Sequence, residues 1–168
     1  MDNPKRELFE QTIVPHMNAA YNLARWLTNR DVAEDLVQEA YLRAFRFFDS
    51  FDGRDGKAWV LAVVRNTCFT WLGRGSRAPV VGFDEQIHRA DGEHVNAETR
   101  LIADAKIGAL RDCVQSLPAE YREVVVMREL EEMSYRQIAE TTGVPIGTVM
   151  SRLSRGRVRL LDCMEGKR

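Results

Sequence analysis

The stretch from Ser134 to Leu160 narrows the possible folds more than any other part of the chain. Ser134-Tyr135-Arg136-Gln137 is an S-x-x-Q capping box that leads into the apolar pair Ile138-Ala139. In such a box the Ser and Gln side chains satisfy the first free amides of a helix. Gly143 takes a positive φ at low cost, which suits a tight turn, and Pro145 sits where a new helix can start without a donor N–H. Two helices crossing over so short a turn form a helix-turn-helix, whose second helix enters a DNA major groove.

The second helix carries the residues that such a role needs. At about 100° per residue, Val149, Leu153, Gly156 and Leu160 face one way. Thr148, Ser151, Arg155 and Arg159 face the other, with Arg152 and Ser154 on the flanks. Arg bonds guanine O6 and N7 bidentately, and Ser or Thr reaches bases or phosphates. An ordinary solvated basic helix is the bland alternative. The box, the turn and the preceding helix together favour DNA reading.

The charge distribution agrees with a basic end and an acidic remainder. The 168 residues carry a net charge of −1, which argues against a non-specific nucleic-acid coat. Glu120 to Glu140 holds six Glu against three Arg, whereas Ile146 to Arg168 holds six Arg or Lys against Asp162 and Glu165. One face for phosphate and others for protein partners follow from that split. No apolar run approaches a membrane span, and the N-terminus lacks a secretory apolar region, so a cytoplasmic protein without membrane insertion is expected. Cys68, Cys113 and Cys163 form no C-x-x-C pair and are read as buried thiols. His16, His88 and His94 stand alone, so no metal site is expected, and no cofactor motif or nucleophile–base pair points to an enzyme.

An all-α fold is expected throughout, with Val124-Val125-Val126 the best strand signal and itself inside a helical pattern. Phe9, Ile13, Met17, Ala20, Ala24 and Leu27 form one stripe of a helix bent by Pro15. Asp31 and Glu34 form a D-x-x-E box that predicts the start of a helix running to about Phe48. A third helix is predicted from Lys57 to about Leu72, and further ones over Ala97–Ser116 and Ala119–Leu130, with two short ones around Gly143-Val144-Pro145. Residues 73–96 hold Gly73, Gly75, Pro79, Gly82 and Gly92 without a packing stripe and read as a linker with a short helix near Asp84 to Arg89.

The helix Val32 to Phe48 carries an anomaly. Ala33, Leu36, Val37, Ala40, Ala44, Phe47 and Phe48 form its main apolar side. Leu42 and Phe45 lie opposite, among Glu34, Asp35, Gln38, Glu39 and Arg46. Apolar residues set among acidic ones suggest a docking surface, and packing of Leu42 and Phe45 on another helix is the alternative.

These motifs resemble one family. Leu117-Pro118-x-x-x-Arg122-Glu123-Val124, Ser134-Tyr135-x-x-Ile138-Ala139 and Gly143-Val144-Pro145-x-Gly147-Thr148-Val149-x-Ser151-Arg152-Leu153 resemble the last domain of extracytoplasmic-function (ECF, group IV) sigma factors of the sigma-70 family. Asp31-Val32-Ala33-Glu34-Asp35-Leu36-Val37-Gln38-Glu39 is similar to the region-two helix of the same family, and Ala58-Trp59-Val60 with Val63-Val64-Arg65-Asn66 to the helix that follows it. The resemblance implies two small helical domains joined by a flexible linker: region two over 1–74, a linker over 75–96 and region four over 97–168. It also implies the partners, namely core RNA polymerase (the beta-prime clamp coiled coil and the beta flap), promoter DNA and an anti-sigma factor.

Asp35, Gln38, Glu39 and Leu42 correspond to the polymerase-docking positions. Thr148, Ser151, Arg152, Ser154, Arg155 and Arg159 would meet the upstream (minus-thirty-five) element, and Arg65, Asn66 and Arg74 the minus-ten element. A single-stranded base needs a pocket, a group to bond its edge and nearby positive charge. The loop Asp49 to Lys57 could form the pocket, Asn66 supply the amide, and Arg65, Arg74 and Arg77 the charge. Asn66 bonding the backbone internally is an equal alternative, and Trp59 is read as core rather than a stacking platform. Thr70, Gly73 and Met150 depart from residues common in the family at those positions, which bears on base preference.

Overall fold

The computed structural model describes residues 3–73 and 97–166. Arg74, Arg77, His88, His94 and the short helix expected near Asp84 lie outside the described residues. Within them every regular element is helical: α1 (Pro4–Thr12), α2 (Met17–Leu27), α3 (Arg30–Arg46), α4 (Gly56–Gly73), α5 (Ala97–Ser116), α6 (Ala119–Val125), α7 (Tyr135–Thr142) and α8 (Ile146–Met164).

Helices α2, α3 and α4 pack on one another around fully buried Leu23, Ala24, Ala40, Leu61 and Val64. Pro15 ends α1 instead of bending one long helix. A 3₁₀ turn over Val14–His16 separates α1 from α2 and resets the helical phase. Ile13 is therefore buried while Met17, expected in the stripe, is 42% exposed.

α3 starts two residues earlier than the D-x-x-E box implies. Asn29 is its N-cap, in extended conformation, and its side chain accepts from the amides of Asp31 (3.0 Å) and Val32 (3.2 Å). Asp31 instead lies in the first turn, where a carboxylate favours the helix dipole. The other end also departs from expectation. α3 stops at Arg46, and Phe48 turns into the core while Phe47 is 64% exposed.

The carboxy-terminal elements build a second unit on Val124, Val126, Met127, Met133, Ile138, Val149 and Leu153. α6 runs on into a π-helical turn over Val126–Leu130. The capping box forms as expected, with the Gln137 amide N–H to Ser134 Oγ at 3.1 Å and the Ser134 N–H to Gln137 Oε1 at 2.9 Å. Gly143 closes α7 at φ 73°, and α8, with 19 residues, is long rather than short.

The two units pack directly on each other. α4 lies against α7, and α2 against α6. Thr141 donates to the Ala58 carbonyl at 3.2 Å, and the Gln137 amide to Asp55 at 3.0 Å. Lys57 donates to the Glu131 carbonyl at 3.0 Å, and Arg122 to the Trp26 carbonyl at 3.0 Å.

Candidate promoter and polymerase interface

Buried Val149, Leu153 and Gly156 hold one side of α8 inward, which turns Ser151, Ser154, Arg155 and Arg159 outward and leaves Thr148 half-buried. A Cβ on Gly156 would lie 2.9 Å from Val125 Cγ2, so the absence of a side chain lets α8 approach α6 this closely. The three arginines on or beside the outward arc differ in their surroundings. Arg155 is exposed. Arg152 is turned toward the body of the domain, with its guanidinium 3.5 Å from Glu120. Arg159 stacks over the Tyr121 ring at 4.9 Å. Ser151 Oγ donates to the Thr148 carbonyl at 3.1 Å.

On α3, Asp35, Gln38 and Glu39 are exposed, and Leu42 is 66% exposed. Phe45, paired with it in the sequence reading, packs instead. Its ring meets Phe9 edge-on at 5.3 Å, and Lys5 lies over its face. Beside Gln38 and Leu42 runs an apolar depression of about 860 Å³ lined by Val14, Met17, Tyr21, Val37 and Tyr41.

Of the residues matched to the minus-ten element, Arg65 and Asn66 are neighbours on α4, and neither lines the cleft beside the preceding loop. The loop before α4 shapes a cleft of about 410 Å³ with Ser50, Asp52, Arg54 and Trp59 in its walls, and Glu140 of α7 contributes to its rim. Trp59 is half-buried: it contacts Phe48 and Phe51 at 6.2 and 5.2 Å and also faces the cleft. Asn66 is exposed outside that cleft, its side-chain Oδ1 accepting from Arg65 at 3.3 Å.

Arg65, expected to supply charge for DNA, is committed elsewhere. Its Nε and Nη2 donate to the two carboxylate oxygens of Glu123 at 2.6 and 3.1 Å, and its guanidinium lies over Phe69. Glu123 is fully buried. Burial pushes its carboxyl above the ordinary range, and Arg65 and Arg152 pull against that shift. Sequence reasoning placed Glu123 in a family motif but missed this pairing, because the partner comes from a helix 58 residues away.

A second departure concerns the cysteines. Cys113 and Cys163 are joined in a disulfide across 50 residues, whereas only Cys68 is the buried free thiol expected. The pairing depends on how the end of α5 meets the end of α8, which no local spacing encodes.

A helix-turn-helix with an outward polar and basic face therefore stands beside a helical bundle whose α3 exposes acidic residues and Leu42. Comparison with known proteins narrows this. The Sigma-70 region 2 family model matches residues 12–78, and the Sigma-70, region 4 model matches residues 107–160. The chain is 33% identical over 156 residues to the ECF RNA polymerase sigma factor SigE of Mycolicibacterium smegmatis, covering 92% of this chain and 60% of that relative. It is 30% identical over 161 residues to the ECF RNA polymerase sigma-E factor of Escherichia coli, covering 90% of this chain and 84% of that one. Among solved structures, the sigma factor RpoE of Bartonella quintana, in complex with the anti-sigma factor NepR, superposes with a TM-score of 0.72 at 28% identity. That match covers 95% of this chain and 98% of the other. The chain belongs to the ECF sigma factors of the sigma-70 family, which direct promoter-specific transcription initiation by RNA polymerase and are transcription regulators rather than catalysts. Among the described residues no helix is long and apolar enough to cross a membrane.

Proposed function

We propose that α8 reads the minus-thirty-five element of promoter DNA while α3 docks on the clamp coiled coil of the polymerase beta-prime subunit. The observation that carries the reading is the split face of α8, with apolar residues inward and Thr148, Ser151, Ser154 and Arg155 available to a groove. Arg155 contacts base edges, and Arg152, held near Glu120, contributes through phosphate or through the domain's own packing. Arg159 follows the adjacent backbone. Asp35, Gln38, Glu39 and Leu42 form the docking patch, with the apolar depression beside them receiving side chains of the partner. The carboxy-terminal domain, over 97–168, also meets the beta flap, and the linker over 75–96 lets it part from the domain over 1–74.

Parting is necessary in this reading, because Arg65 can serve the minus-ten element only after it leaves Glu123. Asn66 and Arg74 act there with it. An anti-sigma factor holds the protein inactive in the cytoplasm, a role supported by the complex of the Bartonella quintana relative with its anti-sigma factor.

The docking assignment is tested by reversing the charge of Asp35 together with Gln38→Ala. Truncating a buried charged contact costs about 2–5 kcal/mol, so binding to core polymerase should weaken at least tenfold with helicity intact. Wild-type affinity in the double variant would refute the assignment.

A further inference from the structure

We propose that Cys113 and Cys163 form a reversible redox site, in which oxidation by a peroxide ties α5 to the last turn of the recognition helix α8. Their Cα atoms lie 5.7 Å apart, within the range a disulfide spans without backbone movement. Cys68 is buried in the other unit, with burial pushing its thiol up to about 12, so it competes neither as nucleophile nor as partner.

The bond sits where non-covalent packing runs out on both helices. Cys113 and Val114 are the only buried residues of α5, and Leu101, Ile102, Ile107 and Leu110 along it are exposed. α8 has no buried residue beyond Gly156, while Val158, Leu161 and Met164 are exposed. Arg159, stacked on Tyr121, lies one turn before Cys163. A covalent tie at this point joins two helix segments with little apolar burial, one of them adjoining the outward arc of α8.

The chemistry balances with a peroxide as oxidant. Cys163, the less buried of the two residues, gives up its thiol proton and attacks as thiolate, breaking the O–O bond of hydrogen peroxide and becoming a sulfenic acid while the departing hydroxide takes up that proton as water. The Cys113 sulfur then attacks that sulfur, forming the S–S bond as the S–O bond breaks and a second water departs. The two thiols lose two electrons and two protons, and the peroxide takes up both. A dithiol reverses the step by opening the bond to a mixed disulfide and then closing its own disulfide.

The test uses the full chain, reduced with dithiothreitol, desalted and exposed to graded hydrogen peroxide. Alkylation and peptide mass spectrometry should find Cys113 linked to Cys163 and Cys68 still free. Dithiothreitol should restore both thiols. Hydrogen exchange over residues 97–112 and 160–166 should be several-fold slower in the oxidised form, and Cys163→Ser should abolish that contrast. Free Cys113 and Cys163 after peroxide, a bond that dithiothreitol does not open, or equal exchange in the two states would each overturn the proposal.

Discussion

Gly156 lets α8 pack close against Val125 of α6. Gly156→Ala would place a methyl group 2.9 Å from Val125 Cγ2, and Val125 is itself buried and cannot swing aside. Overpacking of this kind costs about 1–3 kcal/mol, so the variant should melt earlier, and weaker promoter binding should accompany the shift of α8. Thermal unfolding of both proteins checks it, and an unchanged midpoint would mean that the helices separate freely here.

At the scale of elements, Asp55 joins the start of α4 to the other unit. Its Oδ1 accepts from the Ala58 amide and its Oδ2 from the Gln137 side chain, each at 3.0 Å. Burial would raise its carboxyl, but these hydrogen bonds and nearby His16 outweigh it and hold the value below the ordinary 3.8. A depressed carboxyl contributes stability above its unfolded value, and that contribution disappears as pH falls through the folded value. Asp55→Asn keeps a capping side chain but removes the charge. The stability gap between wild type and this variant should therefore be full at neutral pH and close in acid below 3.8. Denaturant unfolding at a series of pH values measures the gap, and a constant one would contradict this account of Asp55.

Most elements were legible in the sequence because they depend on local chemistry. The capping box at Ser134 follows from side chains acting on their own backbone, and the turn at Gly143 from the ease with which glycine takes a positive φ. The start of α3 was misread because Asn29 and Asp31 are both good caps, and only the chain's extended path at Asn29 decides between them. Phe45 and Phe47 exchanged roles for a related reason. Helical phase cannot tell that α1 covers Phe45 or that α3 ends at Arg46. The Arg65–Glu123 bridge and the disulfide lay beyond reach because both are set by how distant helices meet.

In the whole molecule, that bridge ties α4 of one unit to α6 of the other. A carboxylate with no solvent exposure and a guanidinium that is 19% exposed are each costly to leave unpaired, and breaking such a pair by removing one partner costs about 3–5 kcal/mol. Arg65→Gln and Glu123→Gln should each shift the free protein toward wider separation of the two units. Distances between spin labels on α3 and α7 would report it. The two variants together exclude a fold defect confined to one unit, and unaltered distances in both would show that the bridge is no latch. The same variants should bind core polymerase at least as well as wild type, since less closure has to be undone.

Whether α8 directs initiation by reading the upstream element is decided most directly at its two neighbouring arginines. A base contact specifies sequence, whereas a phosphate contact mainly positions the protein. Holoenzymes carrying Arg155→Ala or Arg152→Ala are compared on a panel of single-base promoter changes at two salt concentrations. Arg155→Ala should lose about 1–3 kcal/mol on the preferred element and flatten discrimination at one or two positions. Arg152→Ala should weaken all promoters alike. Relaxed base preference in Arg152→Ala, with Arg155→Ala still discriminating as wild type does, would contradict the account.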